Sequence, residues 1–346
     1  MVNIRDVAKK AQVSPGTVSR ILNNDASLSV NDQTRKRVFQ ICEELNYVPR
    51  KYKNKNQRKS IGIISAISRE EEIDDLYYRQ IREKLVQSSK LLEYRVDFMI
   101  HLPNLDNSWE RLKDVDCIIL VGYIQQEIHQ QIYELNQKLI IVDDYYCSPE
   151  YSSVAVDFHK EMLDMLDHVH AMGHQKISFI GGQNQRLTLN KNHIADGLGD
   201  REQAYEEWMT MHKLEDFKRA YIGEQWYAQS GYDLTDQLLA EKKELPTVII
   251  AASDMLALGV LRRLSEEKIK VPQNISICSF DDLEMSAFLT PSLTTLKIDI
   301  DTMVYWIMQI CQNMMKETES LPTRIVLSGK LIERESLQEV GKMELL

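Results

Sequence analysis

From residue 61 onward, short runs of isoleucine and valine alternate with longer amphipathic stretches, and this alternation restricts the fold more than any other feature. Continuous apolar runs indicate strands covered on both faces, and their alternation with helices indicates parallel sheets with right-handed crossovers. This part of the chain is longer than a single hydrophobic core usually accommodates, which predicts two α/β lobes. The predicted strands are SIGIISAI, YRVDFMI, DCIILVG, KLIIVD, KISFIGG, TVIIAASD and SICSFDD, and the predicted helices lie at 76–92, 158–172, 200–212, 228–241, 255–267 and 300–316.

The first 48 residues predict three short helices instead. Apolar residues recur at i, i+3, i+4 and i+7 in the segments that begin at Ile4 and Val38. Between them, Ser14 is suited to the N-cap and Pro15 to the first position of a second helix. Two helices joined by so short a turn must pack at a steep angle, which is the layout of a helix-turn-helix.

The net charge of −10 hides an asymmetry between the two parts of the chain. Residues 1–60 carry 13 Lys and Arg against 5 Asp and Glu, whereas the remainder is strongly acidic. A basic N-terminal block on an acidic body indicates a small domain that is attracted to a polyanion. Residues 49–60, PRKYKNKNQRKS, contain almost no core-forming side chains and predict a basic linker.

Several classes of protein are disfavoured by the same sequence. No apolar run approaches the ~18 residues of a membrane span, and MVNIRDVAKKAQ contains no hydrophobic segment typical of a secretory signal. The five cysteines are scattered without a C-x-x-C pair, which argues against a disulfide framework or a zinc module. We therefore expect a cytoplasmic protein with no membrane partner.

Signals for catalysis, metals and cofactors are weak. His168, His170 and His174 have no cysteine or carboxylate at ligand spacing. The sequence contains neither a phosphate-binding glycine loop nor a G-x-S-x-G elbow. Asp281 and Asp282 are expected to cap the turn after their strand. We expect no catalytic residues, no metal site, no cofactor and no enzymatic activity.

Five colinear motifs resemble those of the lactose/galactose-repressor (LacI/GalR) family of bacterial regulators. They are NIRDVAKKAQVSPGTVSRILNN, TRKRVFQICEELNYVP, MGHQKISFIGG, VIIAASDMLALGVLRRL and SFDDLEMSAFLTPSLTTLKID, and together they cover nearly the whole chain. The stretches EEEIDDLYYRQIREKL and IGEQWYAQSGYDLTDQLL look most like galactose repressors and the repressor of the evolved β-galactosidase.

The resemblance implies an all-α helix-turn-helix headpiece followed by a two-lobed, periplasmic-binding-protein-like core of doubly wound parallel sheets. The expected boundaries are 1–48 for the headpiece, 49–60 for the linker or hinge, 61–157 plus 292–321 for the N-terminal lobe, and 158–291 plus 322–340 for the C-terminal lobe. It further implies a homodimer that grips a pseudo-palindromic operator and binds a small sugar between its lobes.

Residue by residue, the resemblance implies two sets of contacts. The DNA-binding set is Asn3, Ser14, Pro15, Gly16, Thr17, Ser19, Arg20 and Asn23. The effector-binding set is Asp143, Arg201, Trp226 and Asp254. Carboxylates and arginine can engage adjacent sugar hydroxyls in pairs, and an aromatic plate covers the apolar face of the ring.

Each effector residue also has a purely structural alternative. Asp254 could be only a helix N-cap, and Trp226 could be only a core aromatic. Arg201 could form surface ion pairs with Glu202 or Glu206.

Two features depart from the family pattern, the linker and one inserted segment. The linker is about three residues short and lacks the Ala-Arg-x-Leu hinge helix whose leucine wedges into the minor groove. Asn56 or a lysine stands there, so either no wedge exists or Tyr52 serves instead. We therefore expect contacts that rely on phosphates and a steep salt dependence. The segment GGQNQRLTLNKNHIADGLGD is longer than usual, which makes the identity of the sugar less certain. The tail ESLQEVGKMELL is too short for tetramerising heptads, which favours a dimer.

The sequence thus predicts a repressor whose operator affinity is controlled allosterically by a small sugar, galactose or a β-galactoside. One alternative is a regulator of the same fold that uses its ligand as corepressor or activates transcription. Another is a sugar-modifying enzyme with an accessory DNA-binding-like domain.

Overall fold

A computed structural model describes residues 4–22, 30, 32–44, 58–102, 109–188, 193–195, 197–316 and 321–344. The chain forms two compact units, Met1–Lys59 and Ser60–Leu346. Of the residues implied in DNA contact, Asn3 and Asn23 lie outside the described residues, as does the linker segment that contains Tyr52 and Asn56.

The first unit contains helices α1 (Ile4–Ala11), α2 (Pro15–Leu22) and α3 (Asp32–Glu44). Most of the apolar residues that the sequence pattern selects are buried together, and Ile4 packs against them partly buried. The buried ones are Val7, Ala8, Ala11, Val18, Ile21, Val38, Ile41 and Cys42. The predicted three-helix headpiece is therefore confirmed.

The second unit contains two six-stranded sheets. The first has the order β13-β5-β4-β3-β1-β2 and is parallel throughout. Its strands are β1 (Ser60–Ser65), β2 (Arg95–His101), β3 (Cys117–Val121), β4 (Leu139–Val142), β5 (Ser152–Val156) and β13 (Arg324–Leu327). Its helices are α4 (Glu71–Asp74), α5 (Leu76–Leu91), α6 (Gln126–Leu135) and α11 (Ile300–Lys316). These elements are called the first lobe below.

The second sheet has the order β14-β12-β11-β10-β6-β9, and only its edge strand β14 is antiparallel. Its strands are β6 (Ile177–Gly182), β9 (Arg219–Gly223), β10 (Val248–Ala251), β11 (Ser276–Asp281), β12 (Thr294–Lys297) and β14 (Lys330–Ile332). Its helices are α7 (Phe158–Ala171), α8 (Asp200–Met211), α9 (Ala228–Ala240) and α10 (Asp254–Glu266). These elements form the second lobe. A separate two-stranded hairpin of β7 (Gln185–Leu187) and β8 (His193–Ala195) follows β6 in the chain.

The predicted fold class is confirmed, since an all-α headpiece precedes a core of two parallel-rich α/β sheets. The second and third crossings between the lobes differ from those expected. Strand β12 was expected in the N-terminal lobe but pairs with β11 of the second sheet, and β13 was expected in the C-terminal lobe but pairs with β5 of the first. Backbone pairing assigns each of these strands to its lobe. The sequence could not, because neither strand has a pattern specific to one sheet.

Candidate functional site

The exposed start of α2 is the candidate DNA interface. Ser14 caps this helix, because its Oγ accepts a hydrogen bond of 3.0 Å from the backbone N–H of Thr17. Val18 and Ile21 are fully buried beneath, whereas Pro15, Gly16 and Arg20 are exposed and Thr17 and Ser19 are partly exposed. The sequence-predicted contact residues that the structure describes therefore share the surface of one short helix.

Gly16 is not required by the packing of the headpiece. Among the described residues, a Cβ atom at this position would meet the Ser14 Oγ alone, at an ordinary 3.6 Å. Glycine in a helix costs about 1 kcal/mol relative to alanine. A glycine that neither φ nor internal packing requires is consistent with close approach by something outside the headpiece.

In the second unit, a cavity of about 150 Å³ lies at the carboxyl ends of strands from both sheets. Ligands in α/β sheets bind at this edge. The first lobe contributes Tyr77, Tyr78, Tyr123 and Asp143, and the second contributes Arg201, Trp226 and Asp281 among others. Of the four sequence-predicted effector residues, the structure thus brings together Asp143, Arg201 and Trp226.

Asp143 directly follows β4 and has a positive φ of 64°. It is 3% exposed, and its Oδ1 accepts a hydrogen bond of 2.9 Å from the Tyr77 hydroxyl. Burial raises the pKa of Asp143 to about 7, although hydrogen bonds from Tyr77 and Tyr78 partly oppose that rise. The hydrogen bond from Tyr77 thus holds this carboxylate in place, and the nearby Arg201 charge does not offset the effect of burial.

Arg201 lies in the first turn of α8 among aromatic rings. Its guanidinium carbon is 3.6 Å from the ring centroid of Phe158, 5.0 Å from that of Phe280 and 5.6 Å from that of Trp226. Its Nε is buried without a hydrogen-bond partner among the described residues. The alternative of surface ion pairs with Glu202 or Glu206 does not match this position, because the side chain faces the cavity.

Trp226 follows β9 and lies flat against the end of β6. A Cβ on Gly182 would come within 2.6 Å of the indole ring, so glycine is needed for this close approach. The indole Nε1 donates a hydrogen bond of 3.3 Å to the Gln183 carbonyl oxygen. The ring therefore forms a fixed wall of the cavity.

Asp254 does not belong to the cavity, which corrects the expectation that it binds the effector. It is fully buried at the first position of α10, and the N-cap is Ser253, whose Oγ accepts a hydrogen bond of 3.3 Å from Leu256 N. Both carboxylate oxygens are occupied within the protein, by Ser279, Thr295, Ser286 and the N–H of Leu283. Asp254 holds the segment after β11 in place, so it has no acceptor capacity left for a ligand.

Asp281 takes the place at the cavity that was expected of Asp254. It ends β11 with a φ of 109°, and its pKa is raised well above the usual range by burial and by neighbouring Asp254. Asp282 points elsewhere and pairs with Arg334 at 2.6 Å. The position of Asp281 at a strand end gave the same signal as Asp143, but Asp281 was expected only to cap the turn after its strand.

Carboxylic acids outnumber basic side chains among the described residues that line the cavity. Among the described residues that line it are seven carboxylic acids, Glu71, Asp74, Asp75, Asp143, Asp200, Glu224 and Asp281, but one arginine. Burial raises the pKa of Asp75 to about 6. Such a surface disfavours anionic ligands and provides many acceptors for hydroxyl donors.

In the described part of the chain, no group of three or more His, Cys, Asp or Glu side chains could hold a metal ion. His174, one of the three clustered histidines, is buried between Thr247 and the Gln338 carbonyl oxygen. The described helices include none that is long and apolar enough to cross a membrane.

Two protein-family models match the chain. Residues 3–50 match bacterial regulatory proteins of the lacI family, and residues 166–337 match the periplasmic binding protein-like domain. The chain is 32% identical to the HTH-type transcriptional regulator GalR of Lacticaseibacillus casei, over 97% of this chain and 99% of that protein. It is 30% identical to the HTH-type transcriptional repressor MelR of Bacillus subtilis, over 97% of each chain.

Solved structures share the fold at lower identity. The lac repressor dimer bound to operator and the anti-inducer ONPF has a TM-score of 0.64 and 22% identity, over 97% of this chain and 98% of that one. The complex of the transcriptional regulator CelR with cellobiose has a TM-score of 0.65 and 20% identity, over 97% and 100%. The matched relatives are regulators of transcription and not enzymes, as expected.

Proposed function

The chain belongs to the lacI family of DNA-binding transcriptional regulators, and on that premise we propose that it is a repressor controlled allosterically by a small neutral sugar. The sugar binds in the cavity between the lobes, and galactose or a β-galactoside is the first candidate. The protein acts in the cytoplasm, where its operator DNA is located.

The Nε of Arg201, buried without a hydrogen-bond partner among the described residues, is the observation that carries the sugar-binding part of the proposal. A buried N–H group without a partner costs free energy, and a ligand that accepts its hydrogen bond recovers that cost. Arg201 is surrounded by the rings of Phe158 and Trp226 and faces a cavity that includes Asp143 and Asp281. Guanidinium, carboxylates and an aromatic wall are together suited to vicinal hydroxyls on a ring with an apolar face.

The charge of the cavity supports a neutral sugar over a phosphorylated one. A sugar phosphate would place two negative charges among seven carboxylic acids. The resemblance of EEEIDDLYYRQIREKL and IGEQWYAQSGYDLTDQLL to galactose repressors favours a galactoside within the neutral sugars.

DNA binding is assigned to α2 of two headpieces in a homodimer. Helix-turn-helix dimers bind two half-sites about one helical turn apart, which requires a pseudo-palindromic operator. The contact residues proposed within the described part of α2 and its cap are Ser14, Pro15, Gly16, Thr17, Ser19 and Arg20; Asn3 and Asn23 are proposed from the family resemblance alone. With so basic a headpiece and linker, phosphate contacts supply much of the affinity.

Control of DNA binding requires two states of the dimer with different affinities for the sugar. In the proposed mechanism, sugar binding favours a state in which the headpieces no longer fit the operator, and the coupling is reciprocal. The opposite sign of coupling would make the sugar a corepressor or the protein an activator.

Fluorescence anisotropy tests the proposal directly. Palindromic DNA from upstream of the protein's own and neighbouring genes is titrated at two salt concentrations, with and without galactose, lactose, glucose and galactose 6-phosphate. We expect specific binding that a galactoside releases and that the phosphate leaves unchanged. Tighter binding with sugar would establish corepression, and release by the phosphate alone would contradict the proposed neutral ligand.

A further inference from the structure

The β7–β8 hairpin leaves the second lobe and attaches to the first. Strand β7 follows β6 of the second sheet, yet Leu187 forms a parallel bridge with Ile124, which follows β3 of the first sheet. Two backbone hydrogen bonds join the lobes here. Gln125 N donates to Leu187 O at 3.0 Å, and Leu187 N donates to Tyr123 O at 3.3 Å.

Two side chains of β7 strengthen this attachment. Leu187 is 1% exposed in an apolar cluster whose other buried members, among the described residues, all come from the first lobe. Arg186 donates to Asp144 Oδ2 at 2.8 Å and to the Ile124 carbonyl oxygen at 3.2 Å. Because Asp144 is fully buried, this ion pair is poorly screened by solvent.

The attachment also fixes residues that line the cavity. In the hairpin, Leu187 pairs directly with His193, so anchoring the first positions the second. His193 and Gln185 line the cavity, whereas Arg186 and Leu187 do not. The Arg186 guanidinium lies 5.5 Å from the ring centroid of Tyr123, another lining residue.

His193 has hydrogen-bonding capacity to spare. Its ring makes no hydrogen bond to any residue that the structure describes, whereas the Gln185 amide donates to the Glu224 carbonyl oxygen at 3.3 Å. A neutral imidazole carries one donor and one acceptor, which is the pair of functions that a sugar hydroxyl can satisfy.

We propose that this hairpin is a clasp that ties the two lobes together and completes the effector cleft, with His193 as a further residue that contacts the bound sugar. The clasp itself is independent of the proposed function, whereas the contact from His193 to the sugar rests on the proposed function. Opening of the cleft then requires Leu187 and Arg186 to leave the first lobe, so the clasp limits how fast the sugar enters and leaves.

Hydrogen exchange on the ligand-free protein tests the clasp. We expect slow exchange at the amides of Gln125 and Leu187 in the wild type and at least about tenfold faster exchange in Arg186→Ala. Arg186→Ala alone leaves the buried Asp144 carboxylate without its arginine and can unfold the protein. The double variant Arg186→Ala/Asp144→Asn also removes that charge, so it keeps the test valid if the single variant unfolds. Lys113→Ala, which breaks an exposed ion pair of the same lobe, is the matched control. Unchanged exchange at both amides in the folded Arg186 variants would overturn the clasp.

Calorimetry with galactose and lactose tests the contact from His193. We expect His193→Ala to weaken the binding of the sugar by about tenfold and His193→Gln to retain most of the affinity. Ile194→Ala is the matched control, because Ile194 is exposed and does not line the cavity. Equal affinities in the alanine variants of His193 and Ile194 would overturn the contact. If the wild type binds neither sugar, the proposed galactoside and the contact both fail, whereas the exchange result on the clasp stands.

Discussion

The hydroxyl of Tyr77 donates a hydrogen bond of 2.9 Å to Oδ1 of Asp143, and this bond joins the first turn of α5 to the carboxyl end of β4 inside the cleft. The bond stabilises the charged form of Asp143, but burial outweighs it and raises the pKa of Asp143 to about 7. The carboxylate therefore changes protonation near neutral pH, where the protein is proposed to bind its sugar.

We predict that sugar affinity falls as the pH decreases from 8 to 6. The protonated Asp143 is a weaker acceptor for sugar hydroxyls, and the loss reaches at most about tenfold per pH unit below its pKa. Calorimetric titrations with galactose or lactose across this range measure the effect. Asp143→Asn is expected to bind weakly at every pH, with a flatter profile. A wild-type affinity that does not change with pH would contradict the role of Asp143.

Asp143 also has a predicted effect on stability. Because its folded-state pKa exceeds that of the unfolded chain, the folded protein retains a proton that the unfolded chain releases between about pH 4 and 7. Its contribution to the free energy of unfolding is therefore present below about pH 4 and is lost as the pH rises through 7. Urea denaturation should show that Asp143→Asn is more stable than the wild type at pH 8, by at most about 4 kcal/mol, with little difference near pH 4.

We predict that Arg201→Gln separates the two activities. Without the guanidinium, the sugar loses a charge-assisted hydrogen-bond partner, which should raise its dissociation constant about 10–100-fold. Operator affinity in the absence of sugar should be unchanged, because Arg201 lies in the core unit. Anisotropy with and without sugar measures both, and the exposed Arg111→Gln of the first lobe is the control. If the Arg201 variant is released from the operator at the same sugar concentrations as the wild type, Arg201 does not bind the sugar.

In the headpiece, we predict that Gly16→Ala weakens operator binding without harming the fold. The added methyl group has space within the headpiece, and alanine favours the helix by about 1 kcal/mol, so thermal stability should be equal or higher. Close approach of α2 to DNA would be obstructed, which anisotropy detects. Wild-type operator affinity would exclude that close approach.

Arg20→Ala should lower operator affinity by about 1–3 kcal/mol and leave sugar affinity unchanged. A smaller slope of log K against log salt would assign Arg20 to a phosphate, and a change in sequence preference would assign it to a base. An equal loss of both affinities would contradict the separation of the two modules.

For Asp254→Asn, we predict lower stability in place of a selective loss of sugar response. The amide nitrogen cannot accept the hydrogen bonds that one carboxylate oxygen now accepts, so buried donors from Ser279 and Thr295 or from Ser286 and Leu283 lose their partner. Each unsatisfied buried group costs about 1–3 kcal/mol. Denaturant titration measures the loss. A variant with wild-type stability that no longer responds to sugar would restore Asp254 to the effector site.

Elements with strong local patterns were predicted closely. The helix predicted at 300–316 is observed as Ile300–Lys316, and the strand predicted from SIGIISAI is observed as Ser60–Ser65. Strands β5, β9, β12, β13 and β14 of the two large sheets were missed. Serines dilute the apolar run of β5, and an arginine begins β9. The hairpin was noted only as an inserted segment, since three-residue strands carry too few side chains to show an alternation.

The sequence alone determined the headpiece and the α/β class of the core, because caps and hydrophobic periodicity are local properties. Three of the four proposed effector residues, Asp143, Arg201 and Trp226, were expected from the family resemblance of the sequence. The tertiary structure decided which acid faces the cleft. Asp254 and Asp281 both lie beside the end of a strand, but the hydroxyls of Ser279, Ser286 and Thr295 converge on Asp254 from positions distant in sequence. The attachment of Leu187 and Arg186 to the other lobe depends in the same way on folding, because it joins surfaces that no sequence spacing relates.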